Sequence, residues 1–268
     1  MNKRNKVCLI GAGGRMGKAI TEVLFHSKTS VLGSAVEKTD SILLGMDSGL
    51  NSGLGENHVR YSSDIDRSLE ECDVAIDFSF HAILPDVLSA CEKHKKPVVI
   101  GATGHTEKEI ELMHQVSTKI PILCAPNMSV GVNLMFKLVE LAAKTIGDEF
   151  DIEVTDIHHR HKKDAPSGTA VALKQVLLKT LDRLENDVIY GRHGNYGERD
   201  KKQIGIHTLR AGEVIGEHTV EFFSAEERIS VHHRAESRKT FAVGAVKASE
   251  FIVQQKFGMF NMFDVLGI

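Results

Sequence analysis

The feature that most constrains the fold is a glycine-rich turn between the first apolar run and the first helical pattern. The stretch VCLIGAGGRMGKAI places Gly11, Gly14 and Gly17 after a candidate strand at residues 6–10. Glycines at such a turn permit a tight bend and let backbone N–H groups approach a pyrophosphate, which the helix dipole also favours. Met16 stands where the strict GxGxxG form has its third glycine. The spacing is therefore GxxGxxG, and its context predicts a dinucleotide-binding strand–turn–helix.

The second strand candidate ends in an acid that is followed by a base. Glu37 ends the run VLGSAVE about 20 residues after Gly17, where an acid can accept the ribose 2′-hydroxyl of NAD(H). Lys38 follows directly and could instead pair with the 2′-phosphate of NADPH. Glu37 alone would predict NADH, and Lys38 alone would predict NADPH. Together they predict that the protein tolerates both cofactors.

Short apolar runs alternate with helical patterns along the first half of the chain. Between most runs, apolar residues recur at three- and four-residue spacing, as at 16–25 and 82–91. The strand candidates are residues 6–10, 31–36, 59–62, 73–78, 97–100 and 121–124. This repetition predicts a parallel sheet that helices cover on both faces. The Gly/Ser/Asn-rich segment 44–57 is predicted to be a long mobile loop.

The pattern changes after residue 130 and indicates a second domain. Residues 132–146 and 171–184 have helical spacing, whereas residues 150–157 and 204–231 carry strand-like runs. Helical spacing returns at 241–255. A chain of 268 residues suits one large domain or two smaller ones. We therefore predict an α/β domain followed by an α+β domain.

The charge balance excludes several classes of partner. The 33 basic and 36 acidic residues give a net charge of −3, which offers no general attraction to nucleic acid or to an anionic membrane. No stretch approaches the roughly 18 apolar residues that a membrane span requires, and the first residues do not suit a signal peptide. The four cysteines lack CxxC spacing. We expect buried thiols in a reducing cytoplasm.

A compact basic run stands out against this balance. Residues 158–163 read HHRHKK, and every one of these side chains can carry positive charge. The strand predicted at 150–157 would deliver His158 and His159 at its carboxyl end. A cluster this small and isolated suits a small, multiply anionic ligand better than the phosphate backbone of a nucleic acid.

The residues after the basic run predict a helix start that adds to this positive site. The sequence continues DAPSGTA, in which Ser167 is a favourable N-cap for a helix that begins near Gly168. The N–H groups of Gly168 and Thr169 would then form an anion site at the helix N-terminus.

Two chemical roles are open for the histidines of the run. A histidine can donate a proton near neutral pH, because its unperturbed pKa is about 6.5. Zinc ligation by His158, His159 and His161 is the alternative, but neighbouring cations oppose a metal and the nearby carboxylates are limited to Asp156 and Asp164. We therefore expect no metal. A solvated basic turn without function is the remaining structural alternative.

The chain resembles, over nearly its whole length, the dihydrodipicolinate reductases, which are 4-hydroxy-tetrahydrodipicolinate reductases of bacterial lysine biosynthesis. The segment EVTDIHHRHKKDAPSGTA closely resembles the signature of that family, and it is far more specific than a glycine loop. The other similar segments are CLIGAGGRMG, the strand ending in Glu37, DFS at 77–79, GATG, PNMSVGVN, RAGEVIGEHT at 210–219, SRKTFAVGAV at 237–246 and the FDVL tail.

The resemblance implies an enzyme that reduces 4-hydroxy-tetrahydrodipicolinate to tetrahydrodipicolinate, with loss of water, using NADH or NADPH. The residue that matches His158 is the proposed general acid in that family, and it protonates carbon after hydride has reached a conjugated C=C–C=N system. The match at Lys162 holds a substrate carboxylate and helps the proton transfer. Matches at His159, Gly168 and Thr169 complete the binding of this small dicarboxylate.

The resemblance also implies the residues of the cofactor site. They are Gly11, Ala12, Gly13, Gly14, Arg15, Met16, Glu37, Lys38, Gly101, Ala102, Thr103, Ala125, Pro126, Asn127 and Met128. The chain departs from the family pattern in two places. Phe80 and His81 stand where many relatives have Arg-Pro, so one potential contact to a cofactor phosphate is missing. Lys38 replaces a frequent arginine and gives up bidentate phosphate geometry, which leaves the preference between NADH and NADPH open.

The family's architecture implies two domains and a homotetramer. A Rossmann-like dinucleotide-binding domain is expected at residues 1–128 plus 239–268. An inserted α+β domain at residues 129–238 is expected to bind the substrate and to join the subunits through its sheet.

Two other classes of protein share part of these features. Another two-domain nicotinamide enzyme, such as an amino-acid or sugar dehydrogenase, would share the glycine loop but has no need for HHRHKKDAPSGTA. A nucleotide-sensing module without catalysis could keep the glycine loop and Glu37, yet it would not require an acid and a carboxylate clamp together. The basic run therefore favours the reductase.

Overall fold

The structure, a computed structural model, describes residues 3–268 and divides the chain into two compact units. One unit comprises the described residues up to Val130 together with Arg238–Gly267. The other unit comprises Gly131–Ser237, with Ile268 assigned to it. The second unit is thus an insertion in the sequence of the first.

Strands and short helices alternate along the first unit, and longer strands predominate in the second. The strands are β1 (Asn5–Ile10), β2 (Ser30–Val36), β3 (Tyr61–Ser62), β4 (Val74–Asp77), β5 (Val98–Ile100), β6 (Pro121–Cys124), β7 (Asp151–His158), β8 (Val188–Tyr190), β9 (Ile204–Arg210), β10 (Glu217–Phe223), β11 (Arg228–Arg234) and β12 (Gly258–Phe260). The helices are α1 (Arg15–His26), α2 (Ser48–Asn51), α3 (Ile65–Glu70), α4 (Leu84–His94), α5 (Glu107–Ser117), α6 (Val130–Ile146), α7 (Gly168–Leu181), α8 (Lys239–Ile252) and α9 (Met262–Leu266).

The first unit is built on a parallel sheet, as the sequence predicts. Its strand order among the described residues is β12-β6-β5-β4-β1-β2-β3, and every pair in it is parallel. Two apolar clusters contribute to its core, and both contain side chains from the strands. The strand order reverses between β1 and β4, and such a switch point is where open α/β sheets bind ligands. The Rossmann-like prediction is confirmed.

Three segments differ from the sequence predictions, two of them in the first unit and one in the second. Segment 44–57, predicted as a long mobile loop, contains α2, whose first N–H groups donate to Oδ1 of Asp47. Strand β12 was not predicted, although it pairs with β6 at the sheet edge. The helix predicted at 171–184 ends at Leu181, because Asp182 adopts a left-handed conformation with φ of 52°.

The second unit has a mixed sheet with β7 at its centre. The order is β11-β10-β7-β9-β8, in which β7 is antiparallel to β10 and parallel to β9. Side chains of β7 alternate between a buried face and a partly exposed face. The buried face begins with Ile152 and Val154 and ends with Asp156 and His158. A carboxylate and an imidazole thus continue an otherwise apolar row.

Two further sequence expectations concern membranes and cysteines. Within residues 3–268, each helix is too short or too polar to cross a membrane. The four cysteines are free, and Cys8, Cys72 and Cys91 are buried. Cys124 is partly exposed at the end of β6. The expectation of buried thiols is confirmed for three of the four.

Candidate active site

The glycine turn of the first unit bends tightly at the end of β1. The N–H groups of Gly11 and Ala12 donate to the carbonyl of Val36 over 3.0 and 3.1 Å. Gly11 has φ of +78°, a conformation that suits glycine. A Cβ on Gly17 would collide with the Gly11 carbonyl oxygen and the backbone of Ala12. The turn therefore requires both glycines for its shape.

Helix α1 leaves this turn with its N-terminus available to a ligand. It begins at Arg15, and Gly14 is its N-cap residue without a side chain to cap it. The first N–H groups of a helix have no acceptor within the helix, and they carry partial positive charge. The turn thus offers backbone donors to an anionic group, which is what a pyrophosphate needs.

Glu37 and Lys38 are both engaged at the end of β2. The N–H of Gly13 donates to Oε1 of Glu37 over 2.7 Å. The carboxylate keeps further lone pairs, with which it can accept a ribose hydroxyl. The ammonium of Lys38 lies 3.1 Å from both carboxylate oxygens of Asp40, and both side chains are largely exposed. These three side chains together carry a net negative charge.

A cavity of about 480 Å³ adjoins the glycine turn. Phe80 lies on its wall, is 66% exposed, and its ring centroid is 4.4 Å from that of His81. His81 in turn points Nδ1 at Oε1 of Glu109, 3.1 Å away. Of the two residues that stand in place of Arg-Pro, Phe80 therefore presents an aromatic surface to the cavity, and His81 packs against Phe80 outside the lining. The lining residues are Ile10, Gly11, Gly14, Val36, Glu37, Lys38, Thr39, Ser63, Ile65, Phe78, Ser79, Phe80, Ile83 and Asp86.

Two predicted cofactor loops follow β5 and β6 on the same edge of the parallel sheet. The N–H of Gly101 donates to the carbonyl of Asp77 over 2.8 Å, and a Cβ on Gly101 would collide with the ring of Phe78. The N–H of Ala125 donates to the carbonyl of Ile100 over 3.2 Å. Both loops are thus held close to the strand ends.

The predicted cofactor residues fall into three neighbouring groups. Those that line the cavity are Gly11, Gly14, Glu37 and Lys38. Those that complete the turn and the first residues of α1 are Ala12, Gly13, Arg15 and Met16. Those on the loops after β5 and β6, outside the lining of this cavity, are Gly101, Ala102, Thr103, Ala125, Pro126, Asn127 and Met128.

In the second unit, His158 ends β7 and is only 9% exposed. Its Nδ1 lies 2.8 Å from Oδ1 of Asp156, two residues earlier on the same face of the strand. Its Nε2 faces Gly216, where an added Cβ would lie 3.0 Å away. The two ring nitrogens therefore have different surroundings, one carboxylate and one glycine.

Asp156 is fully buried and contacts groups from four elements. Its Oδ2 accepts from the N–H of Ser167 over 2.8 Å and from Nη2 of Arg210 over 3.1 Å. Nε2 of His218 lies 3.3 Å from its Oδ1. Burial by itself raises the pKa of Asp156, but the close imidazoles of His158 and His218 and the hydrogen bond from the N–H of Ser167 outweigh burial and hold the pKa well below its usual range. Asp156 is therefore a carboxylate.

The basic run leaves β7 as a loop that is tied to the segment between β9 and β10. The N–H of His159 donates to the carbonyl of Val214 over 2.7 Å, and that of Arg160 donates to the carbonyl of Gly212 over 3.1 Å. The ammonium of Lys162 lies 2.9 Å from Oδ1 of Asp164. This ion pair lowers the pKa of Asp164. The backbone of the run is thus fixed, and Lys162 has an anionic neighbour.

Helix α7 begins directly after this loop. Ser167 is its N-cap, and its Oγ accepts from the N–H of Ala170 over 3.2 Å, as the sequence predicts. Gly168 is exposed and has open space where a Cβ would be. Thr169 follows in the first turn. The start of α7 thus presents a positive helix end to solvent beside the basic run.

Asp156, His158 and His218 are close enough together to hold a metal ion, with ligand atoms within 4.8 Å of one another. This set differs from the zinc ligands weighed from the sequence, His158, His159 and His161, because it contains neither His159 nor His161. The guanidinium of Arg210, 3.1 Å from the same carboxylate, places a fixed positive charge where it opposes a divalent cation. The contacts favour a hydrogen-bonding role for this cluster.

Sequence reasoning missed Asp156, Arg210 and His218 as members of this site. One signal was present, because residues two apart on a strand share a face, and Asp156 is two residues before His158. The register that places His218 opposite Asp156 and Leu209 opposite Ile157 is a property of the folded sheet. It could not be read from spacing alone.

Comparisons with known proteins agree over almost the whole chain. Residues 5–128 match the family model described as "Dihydrodipicolinate reductase, N-terminus", and residues 131–266 match "Dihydrodipicolinate reductase, C-terminus". A 4-hydroxy-tetrahydrodipicolinate reductase from Hahella chejuensis is 44% identical over 264 residues, which cover 98% of this chain and 99% of the relative. One from Geotalea daltonii is 45% identical with the same coverage.

A solved structure gives the same result for the fold. The dipicolinate-bound dihydrodipicolinate reductase from Paenisporosarcina sp. TG-14 has a TM-score of 0.78 and 21% sequence identity to this chain. The similarity covers 98% of this chain and 99% of that chain. Both units therefore occur together in a protein of known architecture.

Proposed function

Since this chain belongs to the dihydrodipicolinate reductase family, we propose that it reduces 4-hydroxy-tetrahydrodipicolinate to tetrahydrodipicolinate in diaminopimelate and lysine biosynthesis. One hydride and one proton are added to the substrate, and one water is lost. The observation that carries the proposal is the buried His158–Asp156 pair at the head of a basic loop and a helix N-terminus. A general acid beside groups that can bind the two carboxylates of the substrate suits this reaction.

The residues of the first unit fit a nicotinamide dinucleotide. The tight glycine turn and the start of α1 offer backbone donors to a pyrophosphate, and Glu37 retains acceptor capacity for a ribose hydroxyl. Phe80 offers an aromatic face for the adenine ring at the cavity wall. The reduced nicotinamide, when bound, supplies the hydride.

The residues of the second unit perform the proton transfer and hold the substrate. His158 holds the proton at Nε2 and gives it to a substrate carbon as the general acid. Lys162 contributes a charge-assisted hydrogen bond to one carboxylate. His159, Gly168 and Thr169 hold the second carboxylate, and the dipole of α7 favours its charge. His158 is only 9% exposed, which limits the access of water to its ring.

We further propose that both cofactors are used and that NADH is favoured. A 2′-phosphate would approach Glu37 as well as Lys38, and Asp40 already pairs with the ammonium of Lys38. The net negative charge of these three side chains opposes a phosphate more than a hydroxyl. Phe80 adds no positive charge to compensate.

We propose a homotetramer that assembles through the partly exposed face of the second sheet. Ile157 and Leu209 are neighbours on β7 and β9, and Leu209 is 45% exposed. Thr155 and Thr219 continue this face on β7 and β10. A Leu209→Glu variant should then have a lower mass by light scattering than the wild type. A wild-type mass equal to that of one chain would contradict the tetramer.

The three buried free thiols suit a reducing cytoplasm, which we propose as the location of the protein.

The proposed reaction is tested by generating the unstable substrate in place with the upstream synthase. We expect NADH absorbance to fall only when the synthase, its substrates and this protein are all present. Dipicolinate, a planar dicarboxylate, should inhibit that consumption. A set of amino acids and sugars offered with the oxidised cofactor tests the rival dehydrogenases. Turnover of one of these, with no turnover of the synthase product, would replace the proposal.

A further inference from the structure

The buried carboxylate of Asp156 lies beside His158, the proposed general acid, and has no assigned role in the proposed reaction. We infer that Asp156 is a positioning residue, which fixes the ring of His158 with Nδ1 facing the carboxylate and Nε2 facing the substrate. The inference rests on the proposed function, because it assigns Asp156 a part in the proton transfer by His158. We expect no contact between Asp156 and the substrate.

The contacts of His158 define which way its ring points. Nδ1 lies 2.8 Å from Oδ1 of Asp156, on the buried face of β7. On the opposite side of the ring, any side chain at position 216 would press on Nε2, since a Cβ there would lie 3.0 Å away. Gly216 therefore keeps Nε2 unobstructed. A ring flipped by half a turn about its Cβ–Cγ bond would put Cδ2 in the place of Nδ1 and lose the contact with the carboxylate.

Two hydrogen bonds hold one oxygen of the carboxylate, and two imidazole nitrogens lie close to the other. The N–H of Ser167 and Nη2 of Arg210 donate to Oδ2, and they come from the start of α7 and from β9. Oδ1 faces His158 and also Nε2 of His218 from β10, 3.3 Å away. The rings of His158 and His218 meet edge to face, with centroids 5.2 Å apart. Asp156 therefore has little freedom to rotate, and its position constrains His158.

This arrangement determines which nitrogen of His158 carries a proton in each charge state. The charged imidazole carries protons on both nitrogens, and the Nδ1 proton then lies on the side of the carboxylate. When the Nε2 proton passes to the substrate carbon, the neutral ring keeps its other proton on Nδ1, beside Asp156. An amide in place of the carboxylate would remove the negative charge beside Nδ1. Its NH₂ group could instead donate to Nδ1, which would leave the remaining proton on Nε2.

The first test measures the ring directly and needs no turnover. The full-length protein is labelled with ¹⁵N-histidine, and the His158 signals are assigned with a His158→Gln variant. In the wild type, neutral His158 should carry its proton on Nδ1. In Asp156→Asn, the proton should move to Nε2. A wild-type ring protonated on Nε2 in its neutral form would overturn the inference, even if the variant does not fold.

The second test separates positioning from folding. Asp156→Asn should lower kcat by about 10²-fold, the range of a lost general acid contribution, with little change in KM for substrate or NADH. Asp156→Glu should restore part of this loss. Asp151→Asn is the matched control, because Asp151 starts the same strand and pairs with Arg199 over 2.7 Å, away from His158. Its kcat should equal that of the wild type.

The outcomes of the two tests distinguish the inference from the proposed reaction. An Asp156→Asn variant with wild-type kcat, or with low kcat and an unchanged His158 tautomer, would remove the positioning role. A wild type that has the Nδ1 proton but does not consume NADH with the synthase product would instead remove the proposed reaction. The orientation of His158 by Asp156 would then stand as a property of another activity.

Discussion

The ammonium of Lys162 lies 2.9 Å from Oδ1 of Asp164, so the cation proposed to clamp the substrate already has an anionic partner. Asp164 is 58% exposed at its side chain, whereas Lys162 is 22% exposed. An exposed ion pair is worth little in water. A substrate carboxylate can therefore replace Asp164 at Lys162 at low cost, and until then Asp164 keeps the ammonium in place.

Replacement of Lys162 by Ala should weaken substrate binding and slow turnover. We expect KM for the dicarboxylate to rise about tenfold or more, because a hydrogen bond to a charged group contributes roughly 1.5–3 kcal/mol. Steady-state kinetics with the coupled synthase measures both constants. Lys179→Ala, an exposed lysine in the last turn of α7, serves as the control and should behave as the wild type. Unchanged KM and kcat in Lys162→Ala would contradict the clamp.

Replacement of His158 by Gln should lower kcat while NADH affinity stays close to normal. The loss should be about 10²–10⁴-fold, the usual contribution of a general acid. Fluorescence titration gives the NADH affinity, and steady-state kinetics with the synthase product gives kcat. The exposed His193, changed to Gln, is the control. If His158→Gln turned over at the wild-type rate, another group would have to supply the proton.

Replacement of Asp40 by Asn should shift the cofactor preference toward NADPH. The change releases Lys38 from its ion pair and removes one negative charge beside the 2′ position. The ratio of kcat/KM for NADPH to that for NADH should rise about two- to fivefold, as expected for one exposed charge pair. Asp148→Asn, at a 90% exposed side chain in the other unit, should leave the ratio unchanged. A ratio that falls in Asp40→Asn would show that Lys38 does not face the phosphate.

Replacement of Gly17 by Ala should impair cofactor binding, because the new Cβ would collide with the carbonyl of Gly11. The Kd for NADH should rise about tenfold or more, since overpacking a tight site costs roughly 1–3 kcal/mol. Gly14→Ala provides a graded comparison, because its Cβ would lie 3.3 Å from the same oxygen. It should have a smaller effect. Equal affinities in the two variants and the wild type would contradict the fit of the turn to a pyrophosphate.

The fold was predictable where the sequence is periodic. Strand β6 has the predicted bounds, and β1, β2 and β5 differ from theirs by one residue at one end. Strand β12 was missed because three residues, Gly258–Phe260, are too few to show alternation. The cap of α2 by Asp47 is a local signal that a single helical turn does not reinforce with apolar spacing.

The site was predictable as a set of segments but not as a set of contacts. His158 and Ser167 were placed from a strand end and a helix start, and both predictions of local structure are confirmed. The convergence of Arg210 and His218 on Asp156 depends on pairing between β7, β9 and β10. Such pairing joins residues more than fifty positions apart, where neither propensity nor period carries information.

The interrupted sequence of the first unit has a consequence for its synthesis. Helix α8 packs against α1 and the strands β4, β5 and β6, and β12 supplies the partner of β6. All of these arrive only after Ser237, when the second unit has already left the ribosome. During elongation the nascent α/β half therefore exposes an apolar flank and an unpaired edge at β6. Chaperone dependence, or sensitivity to ribosome pausing in the inserted segment, would originate at this flank.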